Sequence, residues 1–267
     1  MVKRQSSRRP PTSTKNRPPP SKDRPPPAEN PNRLLAALPA ADYARIGPEL
    51  SLVPLTLKDL LHKPGETIRH VYFPGAGFCS MLTALEDGTM VEVATIGREG
   101  MIGMSAALDN GPTTAVAMVQ GASDTCYRMA AQDFRREMDR RGAFFELLTQ
   151  YAQALVGCIM QSAACNAVHS VEQRLARWLL TAHDHMRNDT FPLTQEFVAM
   201  MLGVARPTVA VVAGKLQNAG LIKYHRGQLT IVDREPLEAA ACECYRTAAN
   251  LLATVGPAPG NHKETQP

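Results

Sequence analysis

Apolar positions change their spacing three times along this chain. Between Leu52 and Met129 they come in short runs or alternate with polar ones: 52–55, 68–73, 77–82, 90–96, 114–119 and 124–129. Turn residues separate the runs, at Lys63-Pro64-Gly65-Glu66, Pro74-Gly75-Ala76 and Glu86-Asp87-Gly88. Evenly spaced short strands predict a small antiparallel barrel or jelly roll. Two short amphipathic helices, 33–38 and 41–46, precede it. A glycine-punctuated segment, Gly97-Arg98-Glu99-Gly100-Met101-Ile102-Gly103, interrupts it ahead of Met104–Leu108.

After Ala130 the period lengthens to three and four. Phe134–Met138 and Phe144–Leu148 come first, then Tyr151, Leu155, Cys158, Ile159, Ser162, Cys165 and Asn166. This predicts a long helix with an apolar stripe, and two partners fit the stripe: the same helix of a second subunit, or packing within the subunit.

The third pattern lies in 193–232. Thr194 suits a helix N-cap, with Gln195 and Glu196 in the first turn, and Gly203 stops that helix. Pro207 suits the first position of a second helix. On that helix Val209, Val212, Ala213 and Leu216 form a core stripe, leaving Arg206, Thr208, Ala210, Val211 and Gly214 outward. A packing hairpin and a DNA-reading helix-turn-helix both fit this much. Residues 221–224 and 228–232 then flank His225-Arg226-Gly227 as a hairpin. Arg226 and Lys223 on it would meet phosphate, which a packing motif does not need. Val171–Leu180, with the single tryptophan Trp178 in its core, opens this last domain. Glu235–Leu252 reads as one closing helix.

The expected fold class is therefore α+β, in five parts. They are a disordered Pro/Arg-rich arm (1–32), an antiparallel β-roll of jelly-roll type (33–133), a dimerisation helix (134–168), a winged helix-turn-helix domain (169–252) and a disordered tail (253–267). The 44% hydrophobic content of the 267 residues is enough for real cores. The arm carries nine prolines, with eight Lys or Arg against two Asp or Glu, a net of +6. Since the whole chain is +4, the remainder is −2, and the basic balance does not mark a DNA-binding surface. No run approaches about 18 consecutive apolar residues, so no membrane partner is expected. No apolar leader precedes a cleavage site, so the expected location is the cytoplasm. Cys79, Cys126, Cys158, Cys165, Cys242 and Cys244 lack paired spacing and read as reduced thiols, with no metal site. Cys158 and Cys165 share a helix face, where buried packing and redox sensing both fit.

The order of these parts, together with Val71-Tyr72-Phe73-Pro74, Val91-Glu92-Val93, the glycine-marked loop, Arg174-x-x-x-Trp178-Leu179-Leu180 and Leu193-Thr194-Gln195-Glu196 ending in Gly203-Val204-x-Arg206-x-Thr208-Val209, resembles the Crp/Fnr family of bacterial transcription regulators. The likeness covers roughly residues 33–250. It implies a homodimer on double-stranded operator DNA, a β-roll that receives a signal, and RNA polymerase as a further partner. It implies that Arg206 reads guanine and Thr208 contacts phosphate. Val211 stands where several relatives have a second base-reading arginine, and Pro207 where glutamate is common. Thr194, Gln195, Lys215 and Arg226 complete the expected DNA-binding set. The effector pocket would comprise Gly103, Met104, Thr113 and Thr114. Cyclic-AMP-binding members place a glutamate where Met104 stands and an arginine where Thr113 stands. A thioether cannot accept ribose hydroxyls, and a threonine cannot form a bidentate pair with phosphate. No cofactor is expected and the effector is unassigned. Haem would need His70 or Cys79 as axial ligand, and an iron–sulfur cluster would need cysteines ahead of the barrel, where none stands before Cys79.

No catalytic residues are expected. A cupin-like enzyme would need two His and a carboxylate at metal-ligand spacing, and His183-Asp184-His185 sets its histidines two apart, off a common helix face. A ligand-binding module acting through protein partners alone is the other alternative.

Overall fold

The computed structural model describes residues 26–108 and 111–256. Two short helices, α1 (Arg33–Ala36) and α2 (Ala40–Ile46), lead into seven strands: β1 (Ser51–Leu55), β2 (Leu60–His62), β3 (His70–Pro74), β4 (Phe78–Ala84), β5 (Met90–Ile96), β6 (Val116–Gly121) and β7 (Ser123–Ala130). They form two antiparallel sheets, in the orders β1-β7-β3 and β2-β6-β4-β5. Strand alternation sets the faces: in β3, Val71 and Phe73 point into the core while His70 and Tyr72 are half-buried. Sequence pattern missed β2, whose three residues pair with β6 across a register shift.

The arm, expected to reach residue 32, gives way to structure sooner. Asn32 is buried because its side chain is fully used: Oδ1 accepts from the Leu35 N–H (3.1 Å), capping α1, and Nδ2 donates to the Pro74 and Gly100 carbonyls (both 2.9 Å). Asn30 Nδ2 donates to the Tyr43 hydroxyl (2.9 Å). Residues 1–25, and 257–267 of the expected tail, lie outside the described residues.

The helix expected over 134–168 is two helices, α3 (Ala131–Asp139) and α4 (Ala143–Val168). The chain turns at Arg141, which adopts a left-handed φ of 54°. Its guanidinium lies 4.2 Å over the Phe145 ring, and Phe134 and Phe144 meet edge to face across the bend. One face of α4 joins the roll's core through Leu148, Tyr151 and Leu155, and the Tyr151 hydroxyl donates to the Met101 carbonyl (3.0 Å). Elsewhere along α4 apolar side chains stand in solvent: Val156 is 55%, Met160 67% and Val168 74% exposed. By length and a mean hydropathy of 1.3 this helix is also long and apolar enough to cross a membrane. Counting uninterrupted runs hides this, because Gln, Thr, Ser and Asn break them.

The C-terminal part contains α5 (Val171–Met186), β8 (Thr190–Pro192), α6 (Gln195–Leu202), α7 (Arg206–Asn218), β9 (Ile222–His225), β10 (Gln228–Ile231), α8 (Arg234–Ala240) and α9 (Cys244–Ala253). Ser170 and Gln173 close a capping box at the start of α5. The expected closing helix 235–252 is broken at Ala241, which is extended (ψ 156°), so that Cys242 and Cys244 turn inward and α9 lies along α4.

Candidate nucleic-acid interface

The Thr194 hydroxyl accepts from the Phe197 N–H (3.2 Å) and starts α6. Gly203 ends it in the left-handed region (φ 62°), where a side chain would be strained. The axes of α6 and α7 then differ by 107°, within the range of DNA-binding helix-turn-helix pairs. On α7, Val209, Val212, Ala213 and Leu216 are buried, and Arg206, Pro207, Thr208, Ala210 and Val211 are exposed. Arg206 takes the first helical position and Pro207 the second, one residue later than the sequence suggested. Proline is tolerated there for the same reason, since first-turn N–H groups lack intrahelical acceptors. Ala205 offers no side-chain cap, so the positive end of the α7 dipole faces outward.

The wing is a two-residue hairpin in which both turn residues have positive φ, Arg226 (46°) and Gly227 (76°). This holds Arg226 at the exposed tip. β8, unforeseen from sequence, pairs with β10, and the Leu193 N–H donates to the Gly227 carbonyl (2.8 Å), tying the wing to the start of α6. Burial pushes the Tyr224 phenol pKa up, and the charge of Arg206 partly offsets the shift. Lys215 is exposed and its Nζ sits 3.3 Å from Glu172 Oε2. Gln195 is half-buried beside the N-cap.

This unit rests on the roll. Trp178 Nε1 donates to Glu92 Oε1 (2.9 Å), and Ser80 and Thr95 donate to the same carboxylate. Burial pushes the Glu92 pKa up, against those bonds. His185 Nδ1 lies 3.4 Å from Glu99 Oε2, and a Cβ on Gly203 would come within 3.2 Å of Val91.

The expected effector positions are arranged differently. Gly103 has φ 95°, and the space above it is filled: a Cβ there would lie 2.8 Å from the His62 ring. Met104 begins a 3-10 turn and packs on the roll's core. The Thr113 hydroxyl accepts from the Ala115 N–H (3.2 Å), and Thr114 is exposed. Thr113 borders a cavity of about 150 Å³ shared with His62, Lys63, Arg69, His70 and Tyr72, whose lining does not include Gly103, Met104 or Thr114. The structure thus does not gather the four predicted residues around one space. Nor do the haem candidates fit: Cys79 is wholly buried with its thiol pKa pushed up by burial, and the cavity beside His70 is small.

Two further groupings are visible. His183, Asp184 and His185 each serve a structural contact, with Asp189 (2.7 Å), Arg234 (2.9 Å) and Glu99 respectively, so they form no metal triad. Cys165, His169, Cys242 and Cys244, by contrast, bring their ligand atoms within 4.8 Å of one another. The signal for this was a Cys-x-x-x-His at the end of the long helix and a Cys-x-Cys where the next break falls.

The family model for the cyclic nucleotide-binding domain matches residues 53–141, and that for the Crp-like helix-turn-helix domain matches residues 173–240. They fall, in that order, on the roll and on the unit carrying α6, α7 and the wing. The chain belongs to the Crp/Fnr family. It is accordingly a transcriptional regulator with a cyclic-nucleotide-binding-type domain and a DNA-binding domain, and not an enzyme. Among solved structures, a regulator assigned to the Crp/Fnr family from Eubacterium rectale is similar at 20% identity and TM-score 0.59, over 79% of this chain and 99% of that one. A CRP-family regulator from Thermus thermophilus matches at 18% identity and TM-score 0.59, over 70% and 95%. The c-di-GMP-responsive global regulator of Xanthomonas campestris matches at 14% and 0.55, over 72% and 99%. At these identities the likeness concerns the fold. No curated relative matches the sequence.

Proposed function

We propose that this Crp/Fnr regulator binds operator DNA as a homodimer, with one α7 in the major groove of each half-site. The observation that carries the reading is the outward face of α7, where Arg206, Thr208 and Val211 are exposed beside a basic wing while the opposite face is buried. Arg206 pairs its fork with guanine O6 and N7, and Val211 meets a thymine methyl. Thr208, Thr194, Gln195, Lys215 and Arg226 position the backbone, with Pro207 shaping the helix start. Lys215 exchanges Glu172 for phosphate, a small cost for an exposed pair.

The second copy covers the exposed apolar side chains of α4, including Val156 and Met160. An aqueous partner suits the helix better than lipid, because its inner face is already fixed to the roll and α9. RNA polymerase is the further partner and the cytoplasm the setting that the family implies. The roll transmits a signal other than cyclic AMP held in the ribose-carboxylate and phosphate-arginine manner, since Met104 and Thr113 supply neither group.

Selection of binding duplexes from random DNA by the full-length protein tests this reading. The expected product is an inverted pair of half-sites with centres about one helical turn, or a multiple of it, apart. Failure to enrich any motif would overturn it.

A further inference from the structure

DNA recognition makes no use of the cluster where α4 ends and α9 begins. Cys165 lies in the last turn of α4, and His169 is the C-cap residue, whose N–H donates to the Cys165 carbonyl (3.1 Å). Cys242 lies in the break between α8 and α9, and Cys244 opens α9. Cys165 Sγ lies 3.5 Å from Cys242 Sγ, and Cys244 Sγ lies 3.4 Å from His169 Nδ1. With zinc–sulfur bonds of about 2.3 Å, the edges of a tetrahedral site are about 3.8 Å. The two contacts are near that length, and no other pair of ligand atoms, all within 4.8 Å, needs to close by more than about 1 Å.

We propose that Cys165, His169, Cys242 and Cys244 hold one zinc ion, which ties the end of α4 to the α8–α9 break. Three thiolates and an imidazole are a donor set that favours zinc, and their spacing leaves room for a single ion. Four protein ligands close the shell, so the site is structural.

The surroundings are those of a metal centre. The second nitrogen of His169, Nε2, lies 3.3 Å from Glu243 Oε2, which turns Nδ1 toward the sulfurs in the carboxylate–histidine–metal manner. Gln161 Nε2 donates to Cys244 Sγ (3.0 Å), a bond that supports a thiolate. Three thiolates and Zn²⁺ leave a net charge of −1, and Arg177 of α5 borders the same cavity as Cys165 and Cys244. The three cysteines are at most 4% exposed, so the bonds are shielded from water. A Cys165–Cys242 disulfide would account for one contact but would leave Cys244, the oriented His169 and Gln161 without a role.

The site sits at the corner where the chain leaves α4 for α5 and the DNA-binding unit. Its test is independent of DNA binding. Full-length protein purified under reducing conditions is expected to contain one zinc per chain by elemental analysis. After zinc removal it should take up one Co²⁺, with thiolate charge-transfer absorption. Cys158→Ala, outside the cluster, should retain one equivalent, and Cys244→Ser should lose it. Should Cys244→Ser fail to fold, Glu243→Ala decides. Its side chain is largely exposed, and it should fold while binding zinc about 10- to 100-fold more weakly. Unchanged affinity in Glu243→Ala would overturn His169 as a ligand. A reduced, folded wild-type protein that carries no metal and takes up neither zinc nor cobalt, or one isolated with a Cys165–Cys242 disulfide instead of metal, would overturn the site.

Discussion

The recognition helix and the glycine-marked loop of the roll are both short segments where this family meets a ligand, and they treat their polar groups in opposite ways. On α7, Arg206 and Thr208 stand exposed, and the helix start is uncapped. In the loop and its sequel the groups are spent internally. His62 fills the space over Gly103, Met104 packs on the core, and the Thr113 hydroxyl is taken by Ala115. A surface kept for an outside partner leaves donors and charges unsatisfied by the protein, because each one satisfied internally must be released before binding. By that criterion α7 presents free groups to a partner, whereas those at Gly103, Met104 and Thr113 are used within the roll.

Glycine substitutions separate the two regions most strongly. In Gly103→Ala the new methyl meets both a left-handed φ and the His62 ring, so a loss of about 2–3 kcal/mol is expected. In Gly214→Ala, on α7, nothing lies within 4 Å and the backbone is helical, so a gain of about 0.5–1 kcal/mol is expected. For a chain of this size each kcal/mol moves Tm by about 2–4 °C, which thermal unfolding resolves. Equal shifts for both variants would break the comparison.

A smaller effect comes from pH. Burial holds the His62 pKa below its ordinary 6.5, with the Nε2–H bond to the His70 carbonyl (2.9 Å) acting weakly in the other direction. The unfolded chain therefore binds this proton first as pH drops. Stability from this site is present above about 6.5 and is lost as pH falls from there through the lower folded value. His62→Gln should flatten that part of a Tm-against-pH curve between 7 and 5. An unaltered curve would show that the ring is not buried in the neutral form.

Much of this was legible in the sequence because periodicity and turn chemistry are local. Thr194, Gly203, Arg206 and Gly227 mark the helix-turn-helix and wing almost residue by residue, and six of the seven roll strands follow from alternation and turns. What escaped depended on distant contacts. β2 and β8 are three-residue strands whose signal is their partner. The breaks at Arg141 and Ala241 carry no proline to announce them, and at the first the local signal is only Gly142, which caps the start of α4. The four-residue Cys/His cluster joins positions 77 residues apart, so counting spacings along the chain could not assemble it.

The central proposal is that Arg206 reads DNA without help from cyclic AMP. Fluorescence anisotropy on a selected operator and on an unrelated duplex, for wild type and Arg206→Ala, with and without cyclic AMP, tests both halves together. A lost bidentate base contact is worth about 1–3 kcal/mol. Arg206→Ala should therefore lower operator affinity about 10- to 100-fold, leave binding to the unrelated duplex nearly unchanged, and respond to cyclic AMP no more than wild type, which should not respond. Retained discrimination in Arg206→Ala, or operator binding that appears only when cyclic AMP is added, would contradict it.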